Sequence, residues 1–333
     1  MKMILNQWYI VCFEKEIDDT KPLRRKIVCN DVVVFKTKSG KISVLEDRCC
    51  HRNVRLSLGN VKGEHIKCGY HGWEYGEDGM CKHIPSFEED QPIPKAARVK
   101  AYPTVVKHKI VWAYFGDTPE NERVEIPPFK ELDYWPFIFN YHEVRGNIKL
   151  IAESLFDAQH INHVHKDSIK SMMGNLSNEP TDFNLQITET SLLGSYDRYN
   201  ERSFFEKLYF GFKKELKTHF GFWFPHSSML DLHFPKKRMI IYEHFYEMDE
   251  EKCMMIQITT WENIFSFSQR FADWFMSKKS NTIVEEDIAF LESNREWHSK
   301  KSLNDLLVKP DELTFAFTKL WDKNLKSGAA RLD

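Results

Sequence analysis

Several features that define common protein classes are missing from this sequence of 333 residues. No stretch reaches the roughly 18 consecutive apolar residues of a membrane-spanning helix. The first residues, MKMILNQWYIV, lack the long apolar segment and the small-residue cleavage site of a secretory signal. Lysine plus arginine (47) nearly balance aspartate plus glutamate (49), so the formal net charge is only −2. We therefore expect a cytoplasmic, soluble protein with no membrane or nucleic-acid partner.

Cysteine is also scarce, and its seven copies are an odd number scattered along the chain. This usage is typical of a reducing compartment and argues against a disulfide framework. No G-x-G-x-x-G or Walker motif occurs in a strand–turn–helix context, so no flavin or nicotinamide site is predicted. If the protein carries out redox chemistry, its electrons must come from a separate protein.

Two short pairs of metal-ligand residues stand out between Cys49 and His71. Cys49-x-His51 and Cys68-x-x-His71 bring together two thiolates and two imidazoles, the ligand set of a [2Fe–2S] cluster with two cysteines on one iron and two histidines on the other. A Cys2His2 zinc site has the same residue types, but zinc fingers usually pair cysteine with cysteine and histidine with histidine. The mixed pairs favour the cluster.

The pattern CxHR, LSxG and CxYHGW resembles Rieske-type iron–sulfur domains. This domain followed by a long second part is similar to the oxygenase (alpha) subunit of Rieske non-heme iron oxygenases, in particular the single-subunit monooxygenase branch of the dicamba and vanillate O-demethylase type. Cys50 stands where the family usually has proline. Cys50 is in principle a rival ligand, but the C-x-H spacing favours Cys49.

A second cluster of metal-ligand residues lies in the stretch ESLFDAQHINHVH, which holds Asp157, His160, His163 and His165. Two histidines and one carboxylate on one face typically hold mononuclear non-heme iron. On a regular helix His160 pairs naturally with His163, whereas His160 and His165 lie roughly 140° apart. The helix would have to break for both to bind one ion, so spacing alone leaves both pairs open.

The carboxylate ligand must come from elsewhere, and the predicted helix NTIVEEDIAFLESN offers one. Asp287 lies on its apolar face, where a buried charge needs a partner such as a metal ion. Glu286 is the alternative ligand.

The family resemblance implies a particular choice among these residues. The pattern D-x2-H-x4-H matches Asp157, His160 and His165, with both histidines as ligands of Fe(II), and E-D-x-x-x-x-E matches Asp287 as the third ligand. In the family, the aspartate equivalent to Asp157 hydrogen-bonds an iron-ligand histidine and a Rieske histidine of the neighbouring subunit. Asp157 would then connect His160 to His71 of the next chain, which implies a homotrimer. Ser154 replaces the asparagine that close relatives carry.

The predicted secondary structure changes between the two halves of the chain. Short strands separated by turn signals are predicted first: Gln7–Cys12, Lys26–Cys29, Val32–Lys36, Ile42–Glu46, Ile66–Lys67, Trp73–Tyr75 and Ile110–Phe115. The second half is predicted to contain the helix Asn147–His165, the strands His219–Phe224, Ser228–His233, Arg238–Glu247 and Met254–Trp261, and the helices Asn263–Lys278, Thr282–Lys300 and Pro310–Lys326.

This pattern predicts an α+β chain. The resemblance implies an N-terminal all-β Rieske [2Fe-2S] domain over residues 1–130. It also implies a C-terminal catalytic domain over residues 131–333, of the helix-grip (START-like) type with an antiparallel sheet. Some residues of the second half are predicted either to line a substrate pocket or to belong to the core: Phe222, Phe224, Met229, Asp231, His233, Met255 and Trp261.

The function expected from these features is that of the terminal oxygenase of a multicomponent Rieske system. Such a protein uses O2 and electrons from a reductase or ferredoxin to hydroxylate or demethylate a small organic substrate. An aromatic-ring dioxygenase is the alternative within the same class. A Rieske electron carrier fused to a ligand-binding domain, with no iron at His160, His165 and Asp287, is the alternative from another class.

Overall fold

The computed structural model describes residues 4–88, 90–168, 175–176, 182–201, 215–262, 268–298, 306–327 and 331–332. The chain divides into two compact units, Lys2–Ile126 and Pro127–Leu332. Within the described ranges, no helix has both the length and the apolar character needed to cross a membrane.

The first unit is built almost entirely of short antiparallel strands. These are β1 (Ile4–Leu5), β2 (Gln7–Phe13), β3 (Leu23–Ile27), β4 (Asn30–Lys36), β5 (Ile42–Glu46), β6 (Asn60–Lys62), β7 (His65–Lys67), β8 (Glu74–Tyr75), β9 (Cys81–His83), β10 (Ala101–Tyr102), β11 (Thr104–Lys107) and β12 (Ile110–Phe115). Strands β2 to β12 form three sheets, in the orders β10-β5-β4-β3, β11-β12-β2 and β6-β7-β8-β9. Short 3-10 turns cover Glu14–Glu16, Leu56–Leu58 and Glu120–Glu122.

The core of the first unit encloses the two cysteines of the predicted cluster. Val33 and Phe35 from β4 pack in one buried group with Ile66 from β7 and with Cys49 and Cys68. Valine, isoleucine and phenylalanine suit a strand because branched and aromatic side chains pack well on a pleated surface. The two predicted ligand loops are therefore anchored on rigid sheets.

The second unit combines one large antiparallel sheet with helices. Its strands are β13 (Phe137–Arg145), β14 (Asn175–Leu176), β15 (Asn184–Ile187), β16 (Ser191–Glu201), β17 (Glu215–Trp223), β18 (Ser227–His233), β19 (Arg238–Glu247), β20 (Lys252–Trp261) and β21 (Arg331–Leu332). Its helices are α1 (Ile148–Leu155), α2 (Ile161–Val164), α3 (Gln269–His298) and α4 (Glu312–Ser327), with 3-10 turns at Lys130–Asp133 and Lys309–Asp311. The sheet order is β13-β20-β19-β18-β17-β16-β14, and β15 also pairs with β16.

Helix α3 lies against the sheet and supplies part of its core. Ala272 and Met276 pack in one buried cluster with Ile138 of β13 and Trp261 of β20. The predicted α+β architecture, with an all-β first part and an antiparallel sheet plus helices in the second, is confirmed.

The structure corrects the predicted helix boundaries. The prediction of one helix over 147–165 is wrong, because α1 ends at Leu155 and α2 covers only Ile161–Val164. The prediction of two helices within 263–300 is also wrong, since α3 runs without interruption from Gln269 to His298. That segment contains neither proline nor glycine, so nothing in it forces a break. Most of the stretch 203–217 lies outside the described residues.

Candidate functional site

Each cysteine of the predicted cluster opens a tight loop, and the two loops are closed in the same way. The N–H of Cys49 donates to the carbonyl of Val54 at 2.8 Å, and the N–H of Cys68 donates to the carbonyl of Trp73 at 2.8 Å. Each hydrogen bond spans five residues. The histidine of each pair lies inside the loop that its cysteine begins.

Both loops turn through a residue in the left-handed region of backbone conformation. Asn53 has a φ of 58°, and Gly72 has a φ of 73°. Asparagine and glycine are among the residues that tolerate this region best. At Gly72 a side chain would also press against Pro85 and Lys67, at 3.1 and 3.2 Å. These two residues therefore allow the turns that bring the two pairs of side chains together.

The four predicted ligands are divided between the interior and the surface. Cys49 and Cys68 are each only 2% exposed and belong to the same buried cluster. His51 and His71 are exposed, with ring centroids 4.6 Å apart. This arrangement suits a cluster whose sulfur-bound iron is buried and whose histidine-bound iron faces outward.

The surroundings of the thiols favour a bound metal. Burial raises the pKa of the Cys68 thiol, although backbone N–H groups of Tyr70 and His71 donate to it and act the other way. A metal ion supplies the positive charge that a buried thiolate requires. The Tyr75 hydroxyl lies 3.1 Å from Cys49 Sγ and 3.3 Å from Cys50 Sγ. The residues present therefore fit a [2Fe–2S] cluster.

The second predicted site brings His160, His165 and Asp287 together. One ligand atom from each lies within 4.8 Å of the other two. Asp287 Oδ1 is 2.9 Å from His165 Nε2 and 3.6 Å from His160 Nε2. Both imidazoles thus present the same type of nitrogen to one carboxylate, as two histidines and one carboxylate do around non-heme iron.

The neighbouring carboxylate, Glu286, binds the opposite side of one of these histidines. Glu286 Oε2 is 2.7 Å from His165 Nδ1 and accepts a hydrogen bond from Ser168 Oγ, also at 2.7 Å. A metal-binding histidine typically donates its other ring N–H to a carboxylate, which fixes the tautomer and the ring orientation. The structure therefore gives Glu286 the role of orienting His165, while Asp287 faces both Nε2 atoms.

The electrostatics of the two imidazoles differ. Burial is the largest influence on both and disfavours their charged forms. At His160 it prevails over nearby Asp287 and lowers the pKa, so the neutral, metal-binding form is favoured. At His165, which is 2% exposed, the hydrogen bonds with Asp287 and Glu286 outweigh burial and raise the pKa. Two carboxylates next to one imidazole call for a positive partner, and a divalent cation is such a partner.

The break between α1 and α2 explains how His160 and His165 meet. Asp157 Oδ1 accepts hydrogen bonds from the N–H groups of Gln159 (3.0 Å) and His160 (3.3 Å), which starts a new turn after α1 has ended. His160 lies at the start of α2 and His165 at its end. The centroids of their rings lie 5.3 Å apart, although the two residues are five positions apart in the sequence.

The remaining predicted residues of this segment occupy distinct places. Asp157 Oδ2 is 3.9 Å from His160 Nδ1, and its side chain is 44% exposed. His163 is exposed and is not part of the triad that shares one centre. Ser154, at the position of the family's asparagine, donates to the carbonyl of Ile151 at 2.8 Å and is thus turned back toward its own helix.

Two cavities flank the triad, and both are lined by His160 and Asp287. The larger has a volume of about 350 Å³ and includes Ser154 and Asp157 in its wall. The smaller has a volume of about 110 Å³ and is mostly apolar. Its wall comprises Leu155, Phe156, His160, Ile161, His165, Phe220, Ser228, Met229, Leu230, Leu232, Met239, Ile241, Glu243, Gln257, Ile283 and Asp287.

Of the residues that the sequence suggested as pocket lining or core, only Met229 lines either cavity. Sequence reasoning missed Glu243, which lines the smaller cavity. A signal was present, because Glu243 interrupts the apolar stripe that alternation along β19 predicts for Met239, Ile241 and Phe245. A charge at such a position needs an explanation beyond packing.

The chain is similar in sequence to several known proteins. Residues 7–103 match the family described as the Rieske [2Fe-2S] domain. The iron–sulfur subunit TsaM1 of a toluene-4-sulfonate monooxygenase system from Comamonas testosteroni is 30% identical over 168 residues, covering 50% of this chain and 48% of that protein. The oxygenase component of dicamba O-demethylase from Stenotrophomonas maltophilia is 29% identical over 168 residues, covering 50% and 49%. The chain thus spans about half the length of the curated relatives it matches.

The solved structures extend the similarity to the whole fold. The crystal structure of dicamba monooxygenase bound to dicamba matches with a TM-score of 0.77 at 18% identity, covering 98% of this chain and 99% of that one. The resemblance to Rieske oxygenases is therefore confirmed, by the domain match in the first part and by the fold throughout. The [2Fe–2S] cluster is the cofactor that the matched domain implies.

Proposed function

We propose that this chain, with a Rieske [2Fe–2S] domain and the fold of dicamba monooxygenase, is the terminal oxygenase component of a multicomponent monooxygenase. It would use O2 and electrons from a reductase or ferredoxin to hydroxylate or demethylate a small organic molecule. The observation that carries the proposal is the presence of two separate metal-ligand sets: Cys49, His51, Cys68 and His71 form the first, and His160, His165 and Asp287 form the second.

A Rieske cluster supplies single electrons, and ferrous iron held by two histidines and a carboxylate binds and activates O2. Residues of the chain itself would shield and orient the ligands of both metal-ligand sets. Buried Cys49 and Cys68 keep water from the inner side of the first set, while His51 and His71 stay at the surface. Asp287 supplies the single negative charge of the second set, and Glu286 holds the imidazole of His165 in place. We assign the first set to a domain over residues 1–130 and the second to a catalytic domain over residues 131–333.

We further propose that the working unit is a homotrimer. Asp157 contacts His160 through one carboxylate oxygen while its side chain stays 44% exposed, and His71 is exposed as well. Hydrogen bonding between Asp157 and His71 of the partner subunit would connect the two metal sets across a subunit boundary. A head-to-tail contact of this kind closes into a ring, most simply of three copies. None of the seven cysteines, all of which lie in the described residues, forms a disulfide, which supports the cytoplasm as the compartment.

The iron content of the purified protein tests the proposal directly. We expect about three irons per chain, two in the cluster and one mononuclear, together with the red-brown colour of an iron–sulfur protein. Addition of a reductase and a panel of small organic molecules should produce O2 uptake that depends on one of them. Two irons per chain and no substrate-dependent uptake would instead identify an electron carrier, and co-purification of a second, smaller chain would favour a ring dioxygenase.

The orienting role of Glu286 leads to a separate prediction. Glu286→Gln should weaken the affinity of the mononuclear site for Fe(II) by about 10- to 100-fold, because carboxylates that hold a ligating histidine contribute that much to metal sites. Competition with an Fe(II) chelator measures the change. Glu285→Gln is the matched control, since Glu285 is exposed on the same helix. Equal retention of iron by both variants would show that Glu286 does not orient His165.

A further inference from the structure

The smaller cavity beside the triad contains one carboxylate in an otherwise apolar wall. Glu243 shares this cavity with His160 and Asp287, and only 6% of its surface is exposed. Its apolar neighbours in the wall include Met229 and Ile241. A molecule that contacts Glu243 would therefore lie next to the three residues that we propose as iron ligands.

Glu243 accepts both of the side-chain hydrogen bonds that the described residues form with its carboxylate. Ser228 Oγ donates to its Oε2 at 3.2 Å, and Gln257 Nε2 donates to its Oε1 at 3.3 Å. Ser280 Oγ donates in turn to Gln257 Oε1, which fixes the orientation of that amide. At the polar end of the cavity, the carboxylate oxygens of Glu243 are therefore the groups that would accept hydrogen bonds from a bound molecule.

The side chains of Ser228 and Gln257 bring no positive charge to the Glu243 carboxylate. In the part of the chain that the structure describes, no lysine, arginine or histidine forms an ion pair with Glu243. A carboxylate has room for about four hydrogen bonds, and Ser228 and Gln257 supply two. Burial is the main reason that its pKa rises to about 7, and the negative charge of Asp287 acts in the same direction. A buried carboxylate in this state is stabilised by a ligand that brings N–H donors or positive charge.

We propose that Glu243 determines substrate specificity by accepting a hydrogen bond from a nitrogen-bearing group, in the strongest case a protonated amine, on a substrate of about one ring. The volume of about 110 Å³ sets an upper limit of one ring, since an engineered apolar cavity that admits benzene is larger, at about 150 Å³. This inference rests on the proposed function, because it names the substrate class of the same site. A substrate with an anionic group facing Glu243 would be disfavoured by charge repulsion.

Glu247 provides an internal comparison on the same strand. It follows Glu243 by four residues, so alternation places both on one face of β19. Burial also raises the pKa of Glu247 to about 7. Glu247 does not, however, line the cavity. A change at Glu247 therefore removes a similar carboxylate from β19 without removing an acceptor from the cavity.

Binding of two isosteric probes to the iron-loaded protein tests the proposal. Benzylamine and ethylbenzene differ only by an ammonium group in place of a methyl group, and calorimetric titration gives their dissociation constants. We expect Glu243→Gln to weaken benzylamine binding by about 10- to 150-fold, the range expected for a hydrogen bond to a charged group. The dissociation constant of ethylbenzene should change less than about twofold, as should those of both probes in Glu247→Gln.

Two results would overturn the inference. One is an equal change for both probes in Glu243→Gln, and the other is weaker binding of benzylamine than of ethylbenzene to the unaltered protein. The second comparison needs no variant, so it holds even if Glu243→Gln fails to fold. Iron content and O2 uptake are measured on the same preparations. If the unaltered protein does not prefer benzylamine but shows normal substrate-dependent O2 uptake, the result counts against the role of Glu243 alone. If it prefers benzylamine but holds no mononuclear iron, the result counts against the oxygenase function.

Discussion

Replacing His160 with alanine should abolish substrate-dependent O2 uptake, with a loss of more than about a thousandfold, while the visible spectrum of the cluster remains. His160 Nε2 and His165 Nε2 face the same Asp287 oxygen, so removal of one imidazole leaves only one nitrogen ligand. Two ligands hold a divalent ion poorly compared with three. The iron content should fall from about three to about two per chain.

His163→Ala is the matched control for this experiment. His163 lies in the same short segment but is exposed and falls outside the triad. It should therefore retain about three irons and its activity. Two opposite outcomes would be informative. Loss of the cluster spectrum in His160→Ala would contradict the assignment of this segment to the mononuclear site. Loss of iron in His163→Ala, with iron retained in His160→Ala, would make His163 the ligand in place of His160.

Replacing Cys49 with serine should remove the cluster entirely, giving a colourless protein with no O2 uptake and about one iron per chain. Cys49 is 2% exposed and belongs to the same buried cluster as Cys68. The hydroxyl of serine is a far weaker ligand than a thiolate for iron in a cluster. In the oxygenase that we propose, electrons would not reach the mononuclear site without the cluster.

Cys50→Ala is the control for Cys49→Ser, because Cys50 is the adjacent thiol. Cys50 lies 3.3 Å from the Tyr75 hydroxyl, but it is more exposed than Cys49 and is not the residue that opens the loop by bonding to Val54. Cys50→Ala should therefore keep its colour and most of its activity. Visible absorption of the two variants decides between them, because a colourless Cys50→Ala would make Cys50 the ligand.

Part of this site follows from the sequence alone. The Cys-x-His and Cys-x-x-His pairs are local motifs, and their loops are closed by hydrogen bonds that span only five residues. Local spacing therefore carries most of their geometry. The strands Ile42–Glu46 and Ile110–Phe115 have the bounds that the sequence predicts, because both are mostly apolar and a turn signal lies close to each of them.

Features that depend on distant packing could not be predicted in the same way. The choice between His163 and His165 depends on the break after Leu155, which a helical pattern does not reveal. The stretch SKKSN resembles a break in α3, yet Ser280 is buried there and lies against Thr259 and Gln257 of the sheet. The choice between Asp287 and Glu286 depends on which nitrogen of His165 each one faces, and no spacing rule contains that information.

Helix α3 makes the second metal site sensitive to insertions and deletions. Glu286 and Asp287 contact His165 on opposite ring nitrogens, and Ser280 supports the cavity one or two turns earlier on the same helix. Adding or removing one residue of the helix before Ser280 would rotate Ser280, Glu286 and Asp287 by about 100° relative to the part of the helix that precedes the change. We therefore expect lineages of this protein to diverge in this helix by substitution while its length from Gln269 to Asp287 stays constant.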